Sequence, residues 1–294
     1  MDEVQLKYYD RPLVILTLIL LGGFMFHLIL SALMILHTSI IFADDLFPNV
    51  ETVETVAGLK ATGYRGMYDK NNAPYKTIPT GYRDLPPTYD YRNQPGILND
   101  VRDQGVCGSC WSFSITSVLE SSVVKQTNRP LTDLSEQHMV SCDYKSYGCN
   151  GGFMESADFV VRNGLTDEIS FPYAGRAVRC KTGLKTLEKA AKYYLLGTSK
   201  RAPTTAEIKT ALIEYGPVFV SVKAGGDGWI GNTSKVTSCT KRGTSNHMVV
   251  IVGYDTKGWI IRNSWGSEWA DKGYAHIGYG CDLIGEDAGF VVVE

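Results

Sequence analysis

The stretch DQGVCGSCWSFS, Asp103 to Ser114, sets Cys107 and Cys110 three residues apart with Trp111 directly behind the second sulfur. Such a pair can be a redox couple, half of a zinc site, or a nucleophile beside a structural disulfide. A zinc site needs a second close cysteine pair or histidines at ligand spacing, and Cys142 and Cys149 stand too far apart for a finger or ribbon. A thioredoxin-like couple follows a strand in a βαβ unit, and only part of that pattern surrounds VRDQG. Downstream of Cys110, residues Trp111, Ile115, Val118, Leu119 and Ser122 recur at spacings of three and four, which predicts an inward-packing helix opened by Cys110. A sulfur at the positive end of a helix, near an imidazolium, favours the nucleophilic thiolate.

A thiol nucleophile needs a base. His138 lies in the helical LSEQHMVSC and His276 in the alternating GYAHIGYG, both settings for structural histidines. His247 opens HMVVIVGYD, a strand of buried character, after the turn-like KRGTSN, so its ring stands where a loop meets a core. IIRNSWGSEW supplies a partner: Asn263 can orient one imidazole nitrogen and Trp265 can screen that bond, leaving the other nitrogen for the thiol.

These residues need elements to hold them. The chain has 294 residues, 44% hydrophobic and 20% charged, with a formal net charge of -2, which gives no polybasic case for nucleic acid as a partner. From Pro12 to Ala43 there is no Lys, Arg, Asp or Glu, and this aliphatic run exceeds the roughly 20 residues that span a bilayer. Lys7 and Arg11 before it, and Asp44, Asp45, Glu51 and Glu54 after it, predict residues 1–11 in the cytoplasm and the bulk of the chain lumenal or extracellular. A long cleaved signal ending near Ala43 is the competing expectation, giving a secreted or lysosome-like protein. His27 and His37 within the run are expected to sit neutral and structural. Residues 44–84 are polar and turn-rich, a linker or short pro-segment, and a folded domain is expected over 85–294. All seven cysteines fall in that domain, which carries as many basic as acidic residues. An odd count in an oxidising compartment predicts three disulfides and one spare thiol. The single sequon, NTS at Asn232, is a glycosylation acceptor if the domain is lumenal.

The ordered set LPPTYDYR, DQGVCGSCW, LSEQ, GCNGG, GPVFVSV and NSWG resembles the papain-like cysteine peptidases over nearly all of Leu85 to Glu294. His247 and Asn263 follow Cys110 by roughly 140 and roughly 150 residues, as that family's signature expects. The resemblance implies an α+β fold with a helical half from about Leu85 to Tyr194, an antiparallel β-barrel half from about Leu195 to Glu294, and a cleft between them. It implies Cys110 as nucleophile, His247 as base and later acid, Asn263 as its orienting partner, and Gln104 with the Cys110 amide as oxyanion donors. The implied disulfides are Cys107–Cys149, Cys142–Cys180 and Cys239–Cys281. Peptide or protein substrates would bind along Gly152 and Trp265, with a side-chain pocket walled by Phe153, Met154, Ser221 and Ser245 and based on Glu286, five residues beyond Cys281. No metal or organic cofactor is needed.

Two departures stand out. Residues 44–84 are shorter than the pro-region of about 100 residues usual in cathepsins and lack its helical motif, so the resemblance leaves open whether they act as an inhibitory pro-segment. Ala270 replaces a common glycine after the second tryptophan of SWGSEW. No His-rich loop of the exopeptidase relatives is seen, which makes an endopeptidase the expectation. Outside this family, GDGWIG at Gly226–Gly231 fits G-x-G-x-x-G but lacks a following helix and acidic residue, and reads as a surface loop. A catalytically silent homologue would be expected to lack Cys110, His247 or Asn263, and all three are present.

Overall fold

Helix α1 (Cys110–Thr127) starts at Cys110, as its periodicity predicts, and stops where Asn128 turns left-handed (φ 56°) ahead of Pro130. The inward stripe understates it. Every residue from Cys110 to Val123 is buried, because α1 meets α2 (Glu136–Cys142) on one side and the strands Val218–Val222, His247–Tyr254 and Ala288–Val292 on others. Its many serines permit approach on all faces, and Ser112 Oγ donates to the Glu136 carbonyl at 2.8 Å. The computed structural model describes residues 61–79, 84–225, 228–229, 235–236 and 238–294. The apolar run 12–43 and the Asn232 sequon lie outside them. Among the described residues no helix is long and apolar enough to cross a membrane.

The sheet comprises β1 (Tyr75–Lys76), β2 (Tyr89–Asp90), β3 (Lys192–Leu196), β4 (Val218–Val222), β5 (His247–Tyr254), β6 (Gly258–Arg262), β7 (Tyr274–Gly278) and β8 (Ala288–Val292). Its neighbours run β1-β3-β8-β4-β5-β6-β7, with β2 attached to the far end of β5, where Tyr89 faces Tyr254. All pairs are antiparallel except β1 with β3. Central strands β4 and β5 are buried at every position, which explains their uninterrupted apolar character. The expected barrel is therefore not closed by hydrogen bonds: among the described strands β7 pairs only with β6. The expected division at Tyr194 and Leu195 also falls inside β3, and β2 reaches the sheet from the N-terminal side. Among the described residues the other α-helices are α3 (Ala157–Arg162) and α4 (Thr205–Tyr215), the latter opened by a capping box between Thr204 and Glu207.

The helical part and the sheet are tied together beside Cys110. Gln104 N donates to the Ser264 carbonyl at 2.8 Å and Gly266 N to the Arg102 carbonyl at 3.0 Å, around a bridge between Asp103 and Trp265. The disulfides are Cys107–Cys149, Cys142–Cys180 and Cys239–Cys281, leaving Cys110 as the free thiol. Ala270 adopts φ 50°, a conformation that glycine takes without a side-chain penalty, which accounts for the glycine usual there.

Candidate active site

The loop ahead of α1 is held from several directions. Cys107 is bonded to Cys149, Gly108 N donates to the Cys149 carbonyl at 2.8 Å, and the Tyr173 hydroxyl meets Ser109 Oγ at 2.6 Å and the Gln104 carbonyl at 2.9 Å. The two sulfurs of CGSC therefore have separate fates, one structural and one free. At the Cys110 sulfur converge the backbone amides of Met248, Gly63, Trp111 and Cys110 itself. Met248 follows His247 at the start of β5, so the ends of α1 and β5 meet at this point.

His247 is fully buried, and its Nε2 lies 2.8 Å from Asn263 Oδ1 while Nδ1 has no hydrogen-bond partner. Asn263 Oδ1 also accepts from Ser264 N at 2.8 Å, so its orientation is fixed twice. Trp265 stacks on the imidazole at 4.7 Å between centroids, and Trp229 meets the same ring edge-on. A thiol at a helix start and an imidazole with one nitrogen anchored and one open are the groups that a nucleophile and its base require. His138 and His276 are structural: the first accepts from Thr166 N at 3.4 Å and the second binds Asp255 at 3.0 Å.

The cleft is filled by a part of the chain that lies ahead of the expected domain. Residues 61–65 pass through it, running parallel to the chain at Gly152: Gly152 N donates to the Gly63 carbonyl and Arg65 N to the Gly152 carbonyl, both at 2.9 Å. From the opposite wall the Asn246 carbonyl accepts from Tyr64 N at 3.0 Å. Gly63 allows this approach, since a Cβ there would stand 1.9 Å from the Gly108 carbonyl oxygen. Gln104 Nε2 donates to the Ala61 carbonyl at 2.7 Å and to the Cys107 carbonyl at 2.9 Å, while its Oε1 accepts from Ser264 Oγ at 2.6 Å. A carbonyl oxygen of the chain itself thus occupies the amide expected to serve an oxyanion. Burial pushes the Cys110 thiol up to about 12, against the amides that favour its thiolate. Burial likewise lowers His247 to about 4, against the Asn263 bond. In the filled cleft both groups are held neutral.

Tyr64, 6% exposed, donates its hydroxyl to Asp287 Oδ2 at 2.7 Å. Asp287 is the chain neighbour of Glu286, the residue expected at the pocket base. The loop after Cys281 carries Asp282, Leu283 and Gly285 at positive φ, and Asp287 follows it in contact with Tyr64. Glu286 and Asp287 both line a cavity with Met67, Lys70 and Tyr75. Ser221 Oγ accepts from Asp287 N at 3.1 Å, Met154 is fully buried, and Phe153 meets Tyr68 and Tyr147 edge-on, each at 5.6 Å. Ser245 Oγ is buried without a hydrogen-bond partner. The signal for the cleft segment was confined to a glycine beside an aromatic residue, in a stretch with several glycines and no periodicity.

Fold and site together define a cysteine peptidase architecture. The papain family cysteine protease pattern matches residues 85–289, and the chain belongs to that family. The germination-specific cysteine protease 1 of Arabidopsis thaliana is 39% identical over 217 residues, covering 70% of this chain and 55% of the relative. Cathepsin K of Mus musculus is 35% identical over 236 residues, covering 76% and 68%. Among solved structures, digestive procathepsin L 3 of the Tenebrio molitor larval midgut superposes with a TM-score of 0.67 at 30% identity, over 78% of this chain and 76% of that one. A Carica candamarcensis cysteine protease in complex with E-64 gives 0.64 at 30% identity, over 71% of this chain and 100% of that one. The chain spans 55% and 60% of the first two plant relatives.

Proposed function

We propose that this chain is a thiol-dependent endopeptidase, acting on peptide or protein substrates through a cysteine acyl-enzyme, and that residues 61–65 hold it latent. The observation that carries the activity is the His247 ring, with Nε2 held by Asn263 and Nδ1 open, at the junction where β5 meets the free Cys110. With the segment displaced, His247 takes the thiol proton and the Cys110 sulfur attacks the peptide carbonyl carbon. The Gln104 amide and the Cys110 backbone N–H donate to the oxygen that gains charge, each donor contributing about 3 to 4 kcal/mol. His247 then gives its proton to the departing amine, and water activated by the same ring releases the acyl group. Asn263 and Trp265 position the ring, and the backbone of Gly152 aligns the substrate. Phe153, Met154, Ser221 and Ser245 wall the pocket, with Asp287 in place of Glu286 at its base.

The test uses the full chain with the cleft opened by Gly63→Ala. Cys110→Ala in that background abolishes peptide hydrolysis and thiol labelling, whereas Asn263→Ala loses activity but keeps a labelled thiol. Equal labelling with and without Cys110 refutes the assignment.

The peptidase domain is proposed over 85–294, with 44–84 as a linker or short pro-segment. Residues 12–43 are proposed as a membrane anchor that leaves 1–11 cytoplasmic and the domain lumenal or extracellular, with Asn232 glycosylated. A cleaved signal at the same place gives a secreted form. Intact-mass analysis of Asn232→Gln, before and after endoglycosidase, tests the topology, and a wild-type mass free of glycan in a glycosylating host opposes it.

A further inference from the structure

Lys76, outside the cleft, is enclosed by aromatic rings. Its Nζ lies 4.8 Å from the ring centre of Tyr194, 5.0 Å from that of Tyr215 and 5.8 Å from that of Phe290, and it donates to the Tyr215 hydroxyl at 3.1 Å. The walls come from three elements: Tyr194 of β3 faces Phe290 of β8 across the sheet, and Tyr215, the last residue of α4, stacks on Phe290 at 4.3 Å. Gln126 fixes this arrangement by donating to the carbonyls of Tyr215 and Val291 at 2.7 and 2.9 Å. The lysine arrives on a strand of two residues, with Tyr75 against Leu195 and Leu195 N donating to the Pro74 carbonyl at 3.0 Å. So short a pairing contributes little by itself. Ring faces around an ammonium supply attraction that the backbone bonds do not.

We infer that Tyr194, Tyr215 and Phe290 form a binding site for an alkylammonium on an extended strand, whose resident ligand is Lys76, and that this distant contact keeps residues 61–65 in the cleft. The cage reads positive charge on a slender stem, through π faces and one hydroxyl. Through Lys76, a short way along the chain from Arg65, it joins the cleft-filling residues to the sheet, on the side of the segment that leads to the folded domain. The inference rests on the proposed latency, and the experiment separates the two.

The readout is the rate of Cys110 alkylation by iodoacetamide in the intact chain, where the other six cysteines are in disulfides. Lys76→Met keeps the stem and removes the charge, and labels about 5- to 30-fold faster than wild type. Lys76→Arg keeps a cation on the rings and stays within about threefold. Gly63→Ala forces the segment out by the clash with Gly108 and labels fast whether or not the cage is filled. Fast labelling of Gly63→Ala with wild-type labelling of Lys76→Met overturns the cage while leaving the latency intact. Slow labelling of Gly63→Ala overturns the latency and the cage with it.

Discussion

Replacing Tyr64 by Phe removes one oxygen from the filled cleft and leaves the ring in place. The hydroxyl is buried, 2.7 Å from Asp287 Oδ2, and burial followed by the nearby carboxylate raises the Tyr64 pKa well above its ordinary value, so it remains a donor at physiological pH. A hydrogen bond to a charged group contributes about 1.5 to 3 kcal/mol, and its loss also leaves a carboxylate facing an apolar ring. If residues 61–65 must leave before Cys110 reacts, this energy belongs to the closed state alone. The open population, and with it the rate of alkylation, rises about 10- to 150-fold. The assay is the second-order rate of Cys110 labelling in the full chain, measured for Tyr64→Phe, Asp287→Asn and their combination. A coupling of about 1 kcal/mol or more between the two sites is expected. Tyr64→Phe within twofold of wild type, or additive single effects, refutes the pocket geometry. An effect of Glu286→Gln in place of Asp287→Asn restores the sequence-based position of the pocket carboxylate.

With the cleft opened by Gly63→Ala, Asp287→Ala lowers kcat/KM for a peptide with Arg at the pocket position relative to one with Phe by about 10-fold or more, and Glu286→Ala leaves the ratio unchanged. An unaltered ratio in Asp287→Ala removes the carboxylate from substrate recognition. Burial raises Glu120 from 4.5 to about 7, against the Leu134 amide that donates to it at 2.8 Å. The folded state therefore binds this proton more tightly than the unfolded chain. The contribution is full below about pH 4.5 and is lost as pH rises through about 7, amounting to about 3 kcal/mol. Glu120→Gln, which keeps an acceptor and cannot ionise, flattens the urea-unfolding stability between pH 5 and pH 7.5, and an unchanged slope contradicts the buried-acid account.

The sequence was most informative where local chemistry dictates structure. Cys110 opening a helix, His247 opening a strand and Asn263 within reach of the imidazole follow from periodicity and from the few residue types able to fill those roles. The apolar β5 was legible as a buried strand for the same reason. The depth of α1 was not, because its serines conceal burial that comes from close packing. The contact of Asp287 with Tyr64 was hidden by a loop with three residues at positive φ, two of them not glycine. Counting from Cys281 cannot register that turn. The segment through the cleft was hidden more deeply: Ala61, Gly63 and Tyr64 are held by backbone bonds and by one hydroxyl to a residue 223 positions away.

Latency and reactivity in this site turn on the same variable, the access of water to Cys110 and His247. The resident segment presents amide and carbonyl groups to the donors and acceptors that a substrate would use, yet it runs parallel to the chain at Gly152, and its carbonyl at Gln104 belongs to Ala61. By covering the sulfur it adds to the burial that favours thiol over thiolate, even though the Gly63 amide acts in the opposite direction. Burial of the imidazole opposes its protonation too, so the proton has no favourable place to move. Opening the cleft hydrates both groups and leaves intact the anchor at Asn263, the stacking of Trp265 and the loop held by Cys107, Cys149 and Tyr173. On the proposed latency, the residues that would carry out the reaction are preorganised beneath the segment, and activation is expected to require its removal without their rearrangement.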